Sequence, residues 1–253
     1  MFLGGKRNPR QSIPSMSENN SVPPTVLAII SANSEWRVVR NAYGTSPVEA
    51  GPFGEWFASE INDQSVVFLH GGWGKIAAAA STQYAVQRWQ PGLVVNLGTC
   101  GGFAGSVERG TILLATETLI YDIIEQMGDP QAAIDHYTTR LDLSWLPQPY
   151  PSPVLPARLI SADRDILAAE VKELRDRFHA VAADWESGAI AWVCDRNAVP
   201  CLILRGVSDL VSEYGGEAYQ NPEVFHQGTK LVMENLLNVL PAWLRAADSL
   251  RPV

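Results

Sequence analysis

Leu93-Val94-Val95-Asn96-Leu97-Gly98-Thr99-Cys100-Gly101-Gly102-Phe103 reads as a short buried strand that runs into a glycine turn. Closely spaced glycines let backbone approach a ligand and offer it amide groups, so the run is a candidate binding loop as well as a tight turn. Similar runs, apolar on both faces, recur at Val26–Ile30, Val66–His70, Ile112–Thr118, Val181–Trp185 and Cys201–Val207. Helical patterns fall between them at Lys75–Trp89, Asp163–Phe178, Glu186–Arg196 and Glu223–Leu244. Strands buried on both faces and separated by helices predict a mostly parallel α/β sheet covered on both sides. In such sheets ligands gather at the carboxyl ends of strands, which is where the chemistry is expected.

Composition narrows the classes further. The 253 residues are 46% hydrophobic and 18% charged, enough for one large core in a single domain spanning 25–253. Residues 1–24 lack apolar periodicity and read as a flexible tail. The formal charge of −8 argues against nucleic acid as the partner, because phosphate-backbone binding needs a concentrated basic face. The longest uncharged stretch, Trp89–Val107, is broken by Pro91 and several glycines and makes a poor membrane helix. Cys100, Cys194 and Cys201 form no C-x-x-C pair, so a reducing cytoplasm is expected. The four histidines are scattered without metal-ligand spacing, and no metal or cofactor is expected. P-loop, dinucleotide-binding and G-x-S-x-G patterns are missing as well. The proline-rich stretch from Glu125 to Pro156 reads as an irregular excursion: a lid, a substrate rim or a subunit contact.

Three groups of polar residues follow strand runs. In Ala183-Asp184-Trp185-Glu186-Ser187-Gly188-Ala189, Asp184 can cap the following helix, while Glu186 is harder to explain without a ligand. In Arg205-Gly206-Val207-Ser208-Asp209, the hydroxyl and carboxylate stand either as chemistry or as a turn, and Arg205 stands as a possible structural ion pair. In Ser31-Ala32-Asn33-Ser34-Glu35-Trp36, Glu35 would also suit the first turn of a helix.

In chain order, S-A-N-S-E-W, G-G-W-G-K-I-A-A-A, N-L-G-T-C-G-G-F, S-A-D-R-D-I, A-D-W-E-S-G-A-I-A and R-G-V-S-D resemble the purine nucleoside phosphorylase/uridine phosphorylase superfamily. Within it the chain looks most like the 5′-methylthioadenosine/S-adenosylhomocysteine nucleosidases, over roughly residues 25 to 245. The resemblance implies a three-layer α/β/α fold around a mixed, partly barrel-like sheet, a homodimer, and hydrolysis of a purine-type N-glycosidic bond. It implies Asp209 as general acid toward the base, held by Ser208, and Glu35 as the residue that orients or deprotonates water. Glu186 and Trp185 would flank the ribose, Thr99, Cys100 and Gly101 would line the site, Ile166 would meet the base, and Arg205 would support the pocket. Phosphorylases of the superfamily carry a phosphate-binding arginine where this chain has Asn96, so water is expected as nucleophile unless Arg37, Arg40 or Arg88 reaches the site. The family's aromatic residue before Ile166 is Asp165 here, and Trp185 and Ser187 replace the methionine and glycine that flank the glutamate, which points to an altered substrate. The alternatives are a phosphorylase on the same fold and a nucleoside-binding relative without catalysis.

Overall fold

The computed structural model describes residues 26–44 and 46–250; the expected tail, residues 1–24, lies outside them. In chain order the strands are β1 (Val26–Ile30), β2 (Glu49–Gly51), β3 (Gly54–Ile61), β4 (Gln64–His70), β5 (Leu93–Phe103), β6 (Ile112–Ile120), β7 (Thr139–Arg140), β8 (Leu155–Ser161), β9 (Ala182–Asp184), β10 (Cys201–Ser212) and β11 (Gly215–Gly216). The helices are α1 (Asn33–Tyr43), α2 (Gly74–Trp89), α3 (Pro130–His136), α4 (Val171–Phe178), α5 (Ser187–Arg196) and α6 (Pro222–Ala246).

All strands join one mixed sheet. Most of its long pairings are parallel: β1 with β4 and β5, β5 with β10, and β6 with β8. The edge formed by β2 and β3 is antiparallel, and a two-residue turn with positive φ at Asn62 and Asp63 folds β3 back onto β4. Because β5 also pairs with β10, the strands β5, β10, β6, β8 and β9 close into a ring, the partly barrel-like sheet that the resemblance implied.

Alternation along the strands supplies one core on each side of β1, and a third forms around Phe103, Leu119, Ile160 and Phe178. In β1, Val26, Ala28 and Ile30 pack toward α1 and α6 with Trp36, Val39, Met233 and Trp243. Leu27 and Ile29 face the other way, onto Ala78 and Ala85 of α2 and Ile190 of α5. Every apolar side chain of such a strand is buried, each worth about 1.5–3 kcal/mol, which is why two-sided apolar runs nucleate the sheet and helices must cover both faces. Among the described residues no helix is long and apolar enough to cross a membrane.

Three expectations change. The glycine run is strand rather than turn, for β5 continues to Phe103 alongside β10. Its glycines serve close approach: a Cβ on Gly98 would sit 2.2 Å from Arg205 Nη1, and one on Gly102 would sit 2.6 Å from Val207. The helix expected over Asp163–Phe178 winds only at its second half, as a 3₁₀ turn at Ala168–Glu170 followed by α4. Its first residues stay extended because Asp163 accepts a hydrogen bond from the Lys75 N–H and the Ile166 carbonyl accepts one from Tyr219. The proline-rich excursion holds α3 and β7, and Leu143, Trp145, Leu146, Tyr150 and Val154 pack on the α1/α6 core. None of its residues lines the cavity described below.

Candidate active site

The site forms where the sheet fails to pair. Along one edge β5 runs beside β10 throughout, while along the other it pairs with β1 up to Asn96 and with β9 from Gly101. Between those partners, Leu97–Cys100 face a fork, the kind of switch point at which α/β sheets place ligands. Glu35, in the first turn of α1, fills the missing ladder position. Its Oε1 accepts from the Thr99 N–H at 2.6 Å and from Thr99 Oγ1 at 2.8 Å, and its Oε2 accepts from the Ala32 N–H at 3.1 Å.

A cavity of about 440 Å³ opens at this fork. Glu35, Thr99, Cys100, Gly101, Ile166, Trp185, Glu186, Ser208 and Asp209 all line it, so the acids read from three distant segments share one cleft. Asp209 and Ser208 can both face the cavity, although adjacent in a strand, because of a β-bulge. The register of β10 on β5 slips between Val207 and Asp209, leaving Ser208 as the extra residue. Ser208 Oγ then donates to Asp209 Oδ1 at 2.6 Å. Burial pushes the Asp209 carboxyl above its usual range, the Ser208 hydrogen bond opposes the rise, and the neighbouring Glu217 and Asp165 charges add to it.

Beneath the cavity lies Arg205, 1% exposed and not part of its lining. Its guanidinium reaches Asp184 Oδ2 at 3.0 Å, Glu186 Oε2 at 3.5 Å and Glu35 Oε1 at 3.8 Å. It also donates to Asn96 Oδ1, the Thr99 carbonyl and Ser187 Oγ. Arg205, expected as a support of the pocket or a structural ion pair, is the buried counter-ion of three carboxylates. One guanidinium cannot balance three charges, and the deficit falls on Glu186. Burial pushes Glu186 up to about 8, Arg205 opposes that rise, and Asp184 and Glu35 add to it. Asp184 is the cap that the sequence allowed, accepting from the Glu186 and Ser187 amides at the start of α5 and from Ser161 Oγ.

Asn96 is wholly buried and touches no part of the cavity. Its amide donates to the Ile29 carbonyl and its oxygen accepts from Arg205, so it joins β5 to β1 and to the guanidinium. Arg37, Arg40 and Arg88 do not line the cavity either. Among the described lining residues the one cation is Arg164, whose guanidinium is held by both Glu170 oxygens. The Cys100 thiol, buried and facing carboxylates, is driven well above its usual range, which keeps it neutral and unreactive.

Several lining residues escaped the sequence reading: Trp73, Tyr219 and Phe225. They come from the loop before α2 and from the approach to and first turn of α6, and no local signal marks them. The Trp73 and Trp185 rings stack at 4.7 Å, and Trp73 remains 68% exposed at the rim.

Known proteins place this geometry. A model of the phosphorylase superfamily matches residues 27–158. The chain is 28% identical over 204 residues to a 5′-methylthioadenosine/S-adenosylhomocysteine nucleosidase of Psychromonas ingrahamii, spanning 74% of this chain and 86% of that protein. It is similar in fold to the nucleosidase of Neisseria meningitidis solved with methylthio-immucillin-A, with a TM-score of 0.70 and 20% identity over 88% of this chain and 99% of the other. The Colwellia psychrerythraea nucleosidase solved with adenine gives a TM-score of 0.71 at 21% identity, covering 88% and 96% of the two chains. The family match spans the strands β1 to β6, the fork and the excursion as far as β8, and the chain belongs to the phosphorylase superfamily.

Proposed function

We propose that the chain hydrolyses the N-glycosidic bond of a purine-type nucleoside with water as nucleophile, its substrate class that of 5′-methylthioadenosine and S-adenosylhomocysteine. The observation that carries this reading is the charge of the cavity wall. Glu35, Asp165, Asp184, Glu186 and Asp209 line it, burial drawing Glu186 and Asp209 toward their neutral forms, and the one cation among its described lining residues, Arg164, is already paired with Glu170, so no free cation is offered to a phosphate. A phosphate dianion entering that wall would meet like charge at close range, whereas water and the hydroxyls of a sugar are donors that carboxylates accept.

The bond that breaks joins the sugar's anomeric carbon to a ring nitrogen of the base, and the bond that forms joins that carbon to the oxygen of water. Asp209, whose carboxyl burial pushes above its usual range, delivers a proton to the departing base, so the electron pair leaves on a neutral heterocycle. Ser208 fixes the carboxyl that carries the proton. Glu35 takes a proton from the attacking water and is itself held by Thr99 and the Ala32 amide. Glu186 accepts hydrogen bonds from ribose hydroxyls, and the carboxylates together favour the positive charge that develops on the sugar. Thr99, Cys100 and Gly101 wall the cavity on the β5 side, Trp185 beside the sugar and Ile166 beside the base.

Incubating 5′-methylthioadenosine, adenosylhomocysteine, adenosine, inosine and guanosine with the protein, with and without phosphate, tests the reading. Free sugar should appear at a rate independent of phosphate. Sugar 1-phosphate as product would make the chain a phosphorylase, and tight binding without turnover would make it a non-catalytic relative.

We also assign a homodimer. Trp73, Ile76, Ile124 and Met127 are exposed apolar side chains at the start of α2 and on the segment after β6, and Lys75 ties the two together through Asp122. Sedimentation at micromolar concentration should show a dimer that Ile76→Asp dissociates; a monomeric wild type would refute the assignment. The three cysteines are all free, which fits a reducing compartment such as the cytoplasm.

A further inference from the structure

We propose that Asp163, together with Asp122 and Lys75, is a positioning unit that seats the first turn of α2 so that the Gly74 amide is held against Glu186. Its bearing on catalysis rests on the reading of Glu186 as the sugar-binding group; its bearing on Glu186 does not.

A helix leaves its first amides without intrahelical partners, and a side chain at the N-cap ordinarily accepts one of them. The N-cap of α2 is Trp73, which offers no acceptor. Two carboxylates from elsewhere in the chain do the work. The Gly74 N–H donates to Glu186 Oε1 at 3.1 Å, and the Lys75 N–H donates to Asp163 Oδ1 at 2.7 Å. Helix end and sugar-site carboxylate are therefore coupled through adjacent peptide groups.

Asp163 is itself fixed. Its own N–H donates to Asp122 Oδ2 at 3.0 Å, Asp122 Oδ1 pairs with the Lys75 ammonium, and that ammonium lies 3.9 Å from Asp163 Oδ2. The bonds run from the α2 turn to the residues following β8, on to those following β6, and back to α2. Nothing bulkier than glycine suits position 74: its φ is +86°, and a Cβ there would lie 3.0 Å from Asp163 Oδ1. The seat works only because the backbone can come this close.

Glu186 is faced by Arg205 from β10, by Asp184 at the end of β9, by Glu35 from α1 and by the Gly74 amide from α2. Arg205 is shared among three acids, so the amide is the donor that Glu186 does not share with another carboxylate in this cluster. Letting the turn drift removes a hydrogen bond that favours the charged carboxylate. Glu186 should then hold its proton to higher pH and accept sugar hydroxyls less well.

The test reads Glu186 directly, by carbon-13 NMR titration of its side-chain carboxyl in the ligand-free full-length protein. Asp163→Ala should raise the midpoint by roughly one pH unit, the scale of one lost charge-assisted hydrogen bond. Asp163→Asn, which keeps an oxygen for the Lys75 amide, should stay close to wild type. Asp122→Asn should shift the midpoint upward by less than Asp163→Ala, and carries the test if that variant does not fold. An unmoved midpoint in the folded variants overturns the proposal, because a purely structural cap would cost stability without touching Glu186. In parallel, KM for 5′-methylthioadenosine should rise about tenfold in Asp163→Ala with a smaller change in kcat. A shifted midpoint with unchanged KM would uphold the seat and overturn instead the sugar-binding role of Glu186.

Discussion

Replacing Asp209 by asparagine is expected to lower kcat for 5′-methylthioadenosine by about 10²–10⁴-fold while leaving the fold and nucleoside binding in place. The substitution is close to isosteric, and the amide oxygen can still accept the Ser208 hydroxyl that donates to Asp209 Oδ1. The bulge and the cavity wall therefore have no reason to rearrange. What disappears is the proton. A purine leaving without protonation carries the full negative charge of the broken bond, and the Glu217 and Asp165 charges that act on position 209 oppose it. The pH profile should change as well. In the wild type, activity should fall as pH rises through the Asp209 pKa, which burial raises, since the acid must be protonated to act. That alkaline fall should be missing from the residual activity of the asparagine variant. Steady-state kinetics across pH, with a calorimetric Kd for the substrate, measure both effects. A variant within a few-fold of wild-type kcat would remove Asp209 from the mechanism.

Arg205→Met should be the most destabilising single change in the site. Methionine replaces the aliphatic stem alone and leaves Asp184, Glu186 and Glu35 buried with no counter-charge. Removing one partner of a buried ion pair costs about 3–5 kcal/mol, because the ions left behind have lost their water and gained nothing. For a domain of this size that corresponds to a Tm lower by roughly 6–20 °C. The penalty should depend on pH in a definite direction. Glu186 is already held up to about 8 with Arg205 opposing the rise, so without the guanidinium its folded-state value climbs further. The folded variant then binds more protons than its unfolded chain, and its stability falls as pH rises. Glu186 keeps its proton up to about 8 in both proteins, so relative to wild type the deficit in Tm should be steady between pH 5 and 7 and should widen above pH 8, where the wild type gains an Arg205-paired carboxylate and the variant does not. Thermal unfolding at pH 6 and pH 9.5 decides it: an unchanged Tm, or a deficit that does not widen at the higher pH, would mean that the guanidinium does not neutralise this cluster.

What was readable from the chain, and what was not, follows from the range of the forces involved. Runs such as Val26–Ile30 and Val66–His70 announce themselves because both faces must be apolar. Strand β3 is polar on one side, and β8 begins among prolines, so neither shows the two-sided pattern; for β3 the Asn62-Asp63 turn was the signal available. The glycines of β5 gave the right place and the wrong conformation. Gly98 and Gly102 are small because Arg205 and Val207 press on them from a strand more than a hundred residues away, a reason that no local window contains.

The acids of the cavity were legible because each follows an apolar strand run, where the fold places ligands. Which way a charged side chain points from such a position was not. Arg205 and Asp209 lie four residues apart on one strand, yet one is sealed under the floor and the other opens onto the cavity. Asn96 shows the same limit, since the resemblance drew attention to its place in the motif as a ligand-binding position while its side chain is spent on joining strands.

The single surplus residue in β10 has a wider meaning for how this site can vary. Exchanging side chains around Ser208 retunes the chemistry, whereas gaining or losing one residue before Asp209 would turn the acid toward the opposite face of the sheet, together with every position up to Ser212. Descent with substitution can thus explore new bases and sugars here, but descent with a one-codon deletion would silence the acid at once, so strand length at this point is as much a part of the active site as the carboxyl group itself.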